Sequence, residues 1–177
     1  VRLHPVDRRR DPDALFDARR LEALAALCAP AGRAAWSVNL VLVDDGEMAD
    51  LNRGWRGRAE PTDVLSFSYL EPEGAGAPAL ARGAGCAARD LWRDAAGDDD
   101  EPVGEVVLAP AFVRERCRRH GWPLETEIAL LTVHGVLHIL GWEHADAHEA
   151  AAMRAREEEL LARGGLAHPL TGRGNPS

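Results

Sequence analysis

The side chains with the clearest chemistry fall in one stretch, His134-Gly135-Val136-Leu137-His138-Ile139-Leu140-Gly141-Trp142-Glu143-His144, which holds three of the chain's seven histidines. His134 and His138 are four residues apart, so on a helix both imidazoles project from one face and can reach one ion. Gly141 falls where such a helix would end, because glycine takes the left-handed conformation that reverses a chain. The reversal brings His144 back toward the same face as a third nitrogen ligand. Three neutral nitrogens without a thiolate suit one zinc ion and leave a fourth position for water, the pattern of a catalytic site. A single His-x-x-x-His pair is often a chance neighbour pair on a solvated helix. The third histidine beyond a correctly placed glycine argues against chance here.

The spacing resembles that of the metzincin proteases, which carry glutamate directly after the first histidine as general base. This chain has Gly135 there. A peptidase must activate water and protonate a poor amine leaving group, so the missing carboxylate counts against proteolysis.

The elements that must position these histidines follow from periodicity. Leu124 to Leu140 is the longest apolar segment at helical spacing, through Leu124, Ile128, Leu131, Val136, Leu137 and Leu140, and predicts a central buried helix carrying His134 and His138. Ala145 to Arg163 predicts a following helix with Met153 and Leu160 toward the core and His148 exposed. Upstream, Val1–Val6, Ser37–Val43, Thr62–Tyr69 and Gly104–Ala109 read as strands. Val38, Leu40 and Leu42 are expected on one face of the second. A first helix is expected after Asp13 as cap, with Leu15, Leu21, Leu24 and Leu27 as its stripe, ended by Pro30 and Gly32. A short helix from Asp44-Asp45 through Met48 and Leu51 is expected to stop before Gly54, leaving Trp55–Pro61 as a loop. Arg53, Arg56 and Arg58 then crowd that loop, which composition alone reads as solvated. Arg8-Arg9-Arg10 reads as a solvated turn. Pro110 opens a helix to His120 with Phe112, Val113 and Cys117 buried and Arg114, Arg116, Arg118 and Arg119 on its other faces.

At 177 residues the chain is long enough for one domain with a substantial core. Residues 1–163 are expected to form it. Residues 71–102, rich in Gly, Ala, Pro and Asp, read as a flexible insert with room for a short helix around Arg89–Asp94, and 164–177 as a disordered tail in which His168 carries little weight. A hydrophobic content of 46% with 28% charged residues is ordinary for a soluble globular protein. No apolar run approaches the ~20 residues of a membrane span, and no apolar signal core opens the chain. Cys28, Cys86 and Cys117 are odd in number and scattered, and read as reduced cytosolic thiols. The net charge of −8 argues against a generally basic nucleic-acid binder while leaving local basic patches open.

Three segments together resemble the YbeY endoribonucleases, the bacterial rRNA maturation factors. Leu51-Asn52 with Trp55-Arg56-Gly57 and Pro61-Thr62-Asp63-Val64-Leu65-Ser66-Phe67 is similar to one signature of that family. Gly104-Glu105-Val106-Val107 stands in the place of its glycine-acidic strand, and His134 to His144 matches its three-histidine zinc motif. Glu105 and Glu143 stand where the family usually has Asp. The resemblance implies an α+β fold, a small mixed sheet flanked by helices. It also implies cytoplasmic, single-strand-specific RNA cleavage in rRNA maturation, at the 16S 3′ end, and in quality control of the small ribosomal subunit, with no membrane partner. One zinc ion on His134, His138 and His144 carries over, and Arg56 becomes the candidate catalytic, phosphate-binding residue.

Zinc on three histidines can bring its water to a pKa of roughly 7 and polarise a phosphoryl oxygen. Phosphodiester cleavage needs charge stabilisation on phosphorus, which Arg56 can supply, more than it needs a carboxylate after the first ligand. Whether water or the RNA 2′-OH attacks is open at this level, and Glu143 could serve as a base or orient the turn. RNA docking falls to Arg53, Arg58 and the Arg114–Arg119 face. Two other classes stand beside the nuclease: a non-catalytic ribosome-assembly factor with a structural zinc, and a metzincin-like peptidase.

Overall fold

The structure is a computed structural model that describes residues 1–12, 17–29, 36–70 and 102–168. Along them run β1 (Arg2–Asp7), α1 (Ala18–Cys28), β2 (Ser37–Leu42), α2 (Asp45–Arg56), β3 (Val64–Ser68), β4 (Gly104–Leu108), α3 (Pro110–His120), α4 (Leu124–Ile139) and α5 (Ala147–Arg163). The expected Asp13 cap and Leu15, the breakers Pro30 and Gly32, Cys86, the Arg89–Asp94 helix and the chain beyond His168 lie outside the described residues.

The four strands make one mixed sheet in the order β1-β2-β4-β3, with β1, β2 and β4 parallel and β3 antiparallel to β4. This is the α+β arrangement with a small mixed sheet flanked by helices. Every residue of β2 and β4 is buried, as expected for central strands covered on both faces. Alternation divides their side chains between two cores. Val38, Leu40, Leu42, Val106 and Leu108 meet α1, α4 and α5 on one face. Val41, Val43, Leu65, Phe67 and Val107 meet Met48, Leu51 and Trp55 of α2 on the other.

α4 is the hub. It packs against β3, β4, α1, α3 and α5, and buries Ile128, Val133, Val136, Leu137 and Ile139. Its approach to the sheet depends on Gly135. A Cβ there would lie 2.7 and 2.8 Å from the two methyls of buried Val106. The residue read as a lost general base is therefore a packing residue facing the sheet, and a side chain at 135 would have to displace the methyls of Val106.

α2 corrects one expectation. It does not stop before Gly54 but runs through Trp55 and Arg56 to Gly57, which is left-handed at φ 70°. Met48, Leu51 and Trp55 are spaced to put one apolar face on the second core, with the Trp55 and Phe67 rings 5.5 Å apart. That burial outweighs the low helix propensity of an exposed Gly54. Arg53 and Arg56 thus sit on the last helical turn, where positive charge complements the helix dipole. α1 is capped by Asp17, whose carboxylate accepts from the backbone N–H groups of Arg19 and Arg20.

Candidate metal centre

The turn after α4 is fixed from both sides. At its start, Trp142 N–H donates to Leu137 C=O and Gly141 N–H to His138 C=O, both at 3.0 Å, with Gly141 at φ 90°. This paired pattern is a Schellman stop, which only a residue tolerant of positive φ completes. At its end, Asp146 Oδ1 accepts from Glu149 N–H at 2.8 Å, while Glu149 Oε2 accepts from Ala145 N–H at 2.9 Å. Ser68 of β3 ties the same corner to the sheet by donating its hydroxyl to Ile139 C=O at 3.1 Å. His144 is exposed but held between two caps.

The consequence is convergence. One ligand atom from each of His134, His138 and His144 lies within 4.8 Å of the others. His138 Nε2 is 3.1 Å from His134 Nε2, and the His144 ring stands 4.9 Å from that of His138 and 5.7 Å from that of His134. His134 Nδ1 is 2.7 Å from Glu157 Oε1 on α5. Burial alone would raise the Glu157 carboxyl, but hydrogen bonds from His134 and His168 and their charge hold it at about 2. An ionised carboxylate can only accept, so His134 donates from Nδ1 and turns the lone pair of Nε2 toward the other two rings. Burial, then the imidazoles of His134 and His144, keep His138 at about 4, neutral at physiological pH. The lone pair of His134 Nε2 lies 3.1 Å from His138 Nε2, close enough for both nitrogens to share one cation, and the three imidazoles fit a metal ion.

These histidines lie in a cleft of about 900 Å³. β3, the end of α2, α4 and α5 all line it, bringing Arg56, Glu143, Arg154 and His168 to the same space. Arg56 is exposed and, among the described residues, has no ion-pair partner. Glu143 is exposed at the rim, 3.9 Å from His138 Nδ1 and outside hydrogen-bond range. Asp63 lines the cleft too, but its carboxylate is tied to Arg116, which also binds buried Glu127 at the start of α4. On the Arg114–Arg119 face expected to dock RNA, Arg116 is thus engaged within the fold. Arg116 ties α3 to β3 and α4, and Arg118 and Arg119 turn to Glu115 at 2.9 and 3.7 Å. Arg53 pairs with Asp50 at 2.8 Å and does not line the cleft. In the Arg8–Arg10 turn, Arg8 pairs with Glu47 and Arg9 with Asp7.

A family model described as endoribonuclease YbeY matches residues 17–165. The chain belongs to the YbeY endoribonuclease family. It is 40% identical over 148 residues to the endoribonuclease YbeY of Moorella thermoacetica, covering 84% of each chain. It is 38% identical over 130 residues to that of Symbiobacterium thermophilum, covering 73% of this chain and 72% of that one. The YbeY protein of Rhodococcus opacus is 38% identical over 131 residues, and there the match takes in 72% of this chain but 62% of the longer relative.

The YbeY match takes in the three histidines, Arg56, Arg154 and Glu157. Sequence reasoning missed the last two and His168. Glu157 hides in a Glu157-Glu158-Glu159 run that looks solvated. Its signal was positional, because Met153, Glu157, Leu160 and Leu161 share one helical stripe and all four are buried. His168 had no such signal. It is 5% exposed, with Nε2 3.5 Å from Glu157 Oε2, because residues 164–166 double back along α5 through Gly165 at φ 73° and Leu166 N–H donating to Leu161 C=O.

Proposed function

We propose that the chain is a zinc-dependent endoribonuclease specific for single-stranded RNA. It acts in the cytoplasm on precursors of the small ribosomal subunit, maturing the 3′ end of 16S rRNA and serving ribosome quality control. Membership of the YbeY family supports RNA cleavage. The observation that carries the reading is the pairing, in one cleft, of three converging imidazoles with an exposed guanidinium that has no partner among the described residues.

His134, His138 and His144 would hold one zinc ion, which when bound supplies Lewis acidity toward a phosphoryl oxygen and makes water acidic near neutral pH. The chain's own groups do the rest. Glu157 keeps the proton of His134 on Nδ1, so the inward nitrogen stays a donor of electrons. Burial keeps His138 neutral and ready to ligate. Arg56 presents a planar fork to the scissile phosphate and stabilises the charge that builds on its oxygens as the P–O bond breaks.

The test is cleavage of a single-stranded rRNA fragment by purified protein beside His138→Ala and Arg56→Ala, with bound zinc quantified in each. Activity in the wild type, lost in both variants while Arg56→Ala keeps its zinc, supports the reading. Equal activity in all three marks a contaminating nuclease and moves a non-catalytic assembly role to the front.

A further inference from the structure

The net charge of −8 leaves carboxylates in excess, and most arginines of α2 and α5, the two helices that bring an arginine to the cleft, have found one. On α2, Arg53 pairs with Asp50, while Arg56, which lines the cleft, has no ion-pair partner among the described residues. α5 repeats the pattern. Arg156 pairs with Glu159 and donates to Leu27 C=O, and Arg163 reaches Glu159. Arg154, exposed and lining the same cleft as the three histidines, has no hydrogen bond or ion pair among the described residues. The vacancy is not for want of acids. Glu157 and Glu158 stand three and four positions on, at the spacing that joins charges along a helix. The Glu157 carboxylate, however, is taken by His134 and His168.

Ala150, Met153, Arg154 and Glu157 occupy one face of α5, so the guanidinium of Arg154 lies along the same wall as the carboxylate that orients His134. Arg56, from the end of α2, lines the same cleft. Two unneutralised guanidinium groups on separate elements flank one three-histidine centre, and a polyanion with regularly spaced phosphates is the ligand class this layout fits. We propose that Arg154 is a second phosphate-binding residue, holding the backbone phosphate that flanks the scissile one and so fixing the path of the strand across α5. The inference rests on the nuclease reading above. Arg154 is a positioning and length-selecting residue; the charge at the reacting phosphorus is left to Arg56.

The experiment compares metal-loaded wild type with Arg154→Ala, Arg154→Lys and, as a control for one lost charge outside the cleft, Arg163→Ala. The substrate is a single-stranded RNA of about twelve nucleotides. KM, kcat and the salt dependence of binding are read from roughly 50 to 200 mM salt. Arg154→Ala is expected to raise KM about three- to tenfold with kcat within about twofold of wild type. Its log–log salt slope should be shallower by about 0.7, one single-strand phosphate contact. Arg154→Lys should recover most of the slope and part of the affinity, and Arg163→Ala should match wild type. Shortening the RNA until no flanking phosphate remains should bring wild type to the KM of Arg154→Ala. Wild-type cleavage with an unchanged KM and slope in Arg154→Ala overturns the inference and leaves the nuclease reading standing. A wild type that neither binds nor cuts RNA removes both.

Discussion

At Glu157 a buried carboxylate meets two imidazoles, and its 2.7 Å contact with His134 Nδ1 sets the orientation of a ring that must serve the cleft. Glu157→Gln keeps the shape but replaces an ionised acceptor by a neutral amide. Zinc affinity is expected to fall roughly 10–100-fold with the fold intact, measured by competition with a chelator and by circular dichroism. Unchanged affinity would mean that packing alone orients His134. The titration of His138 gives a second expectation, for the zinc-free protein. Its imidazole sits at about 4 in the folded chain against 6.5 when exposed, so below 6.5 the unfolded chain takes up the proton first. The stability it contributes is therefore present above pH 6.5 and lost as pH falls toward 4. Glu157, held at about 2 rather than 4.5, acts in the same direction lower down, losing its contribution between pH 4.5 and 2. Thermal midpoints of the zinc-free protein should fall across pH 6.5 to 4, and His138→Gln should flatten that slope.

Between residue and molecule stand the elements that hold the histidines, α4, its turn and the start of α5. The turn carries a cap at each end, and His144 depends on the second. Asp146→Ala removes the acceptor for Glu149 N–H and is expected to cost about 1 kcal/mol of stability. It should also weaken zinc binding, because His144 loses its anchor. A titration showing lower stability with undiminished zinc affinity would separate the cap from the site. α4 itself is constrained from below. Gly135→Ala drives a methyl into Val106 and is expected to destabilise by about 1–3 kcal/mol in urea unfolding. A neutral outcome would mean that β4 gives way freely. The same contact explains why the peptidase comparison was only half legible. The sequence displays the absence of a carboxylate, while the reason for glycine lies in the distance between a helix and a sheet.

Across the whole molecule, what could be read in advance was what is periodic or local. The four strands, the Pro110 helix, the long histidine helix and its glycine stop all follow from patterns within a few residues. Leu21, Leu24, Val113, Cys117 and Met153 lie in the core where their spacing placed them. What escaped depended on contacts far apart in sequence. The end of α2 was set by Phe67 and the second core, the partner of Arg116 by strand β3, and the burial of His168 by a reversal after α5. Arg154 escaped for a related reason, because a side chain left without a partner is visible only once every neighbour has been placed. Beyond the site, no helix among the described residues is long and apolar enough to cross a membrane.

The antiparallel pairing of β3 with β4 runs from Val64↔Leu108 to Ser68↔Gly104 and is carried one step further by Tyr69 N–H donating to Val103 C=O at 2.8 Å. The chain thus leaves the sheet and re-enters it at adjacent points, whatever lies between. Loop closure grows only logarithmically with length, each doubling costing about 0.6 kcal/mol. Replacing residues 71–101 with a four-residue turn is therefore expected to raise stability by roughly 1–2 kcal/mol in denaturant unfolding and to leave zinc binding unchanged. Loss of folding would instead mean that the excised residues belong to the core. Because Tyr69 and Val103 already sit side by side, a reporter or a second binding module grafted between them is expected to leave the geometry of the three histidines unchanged.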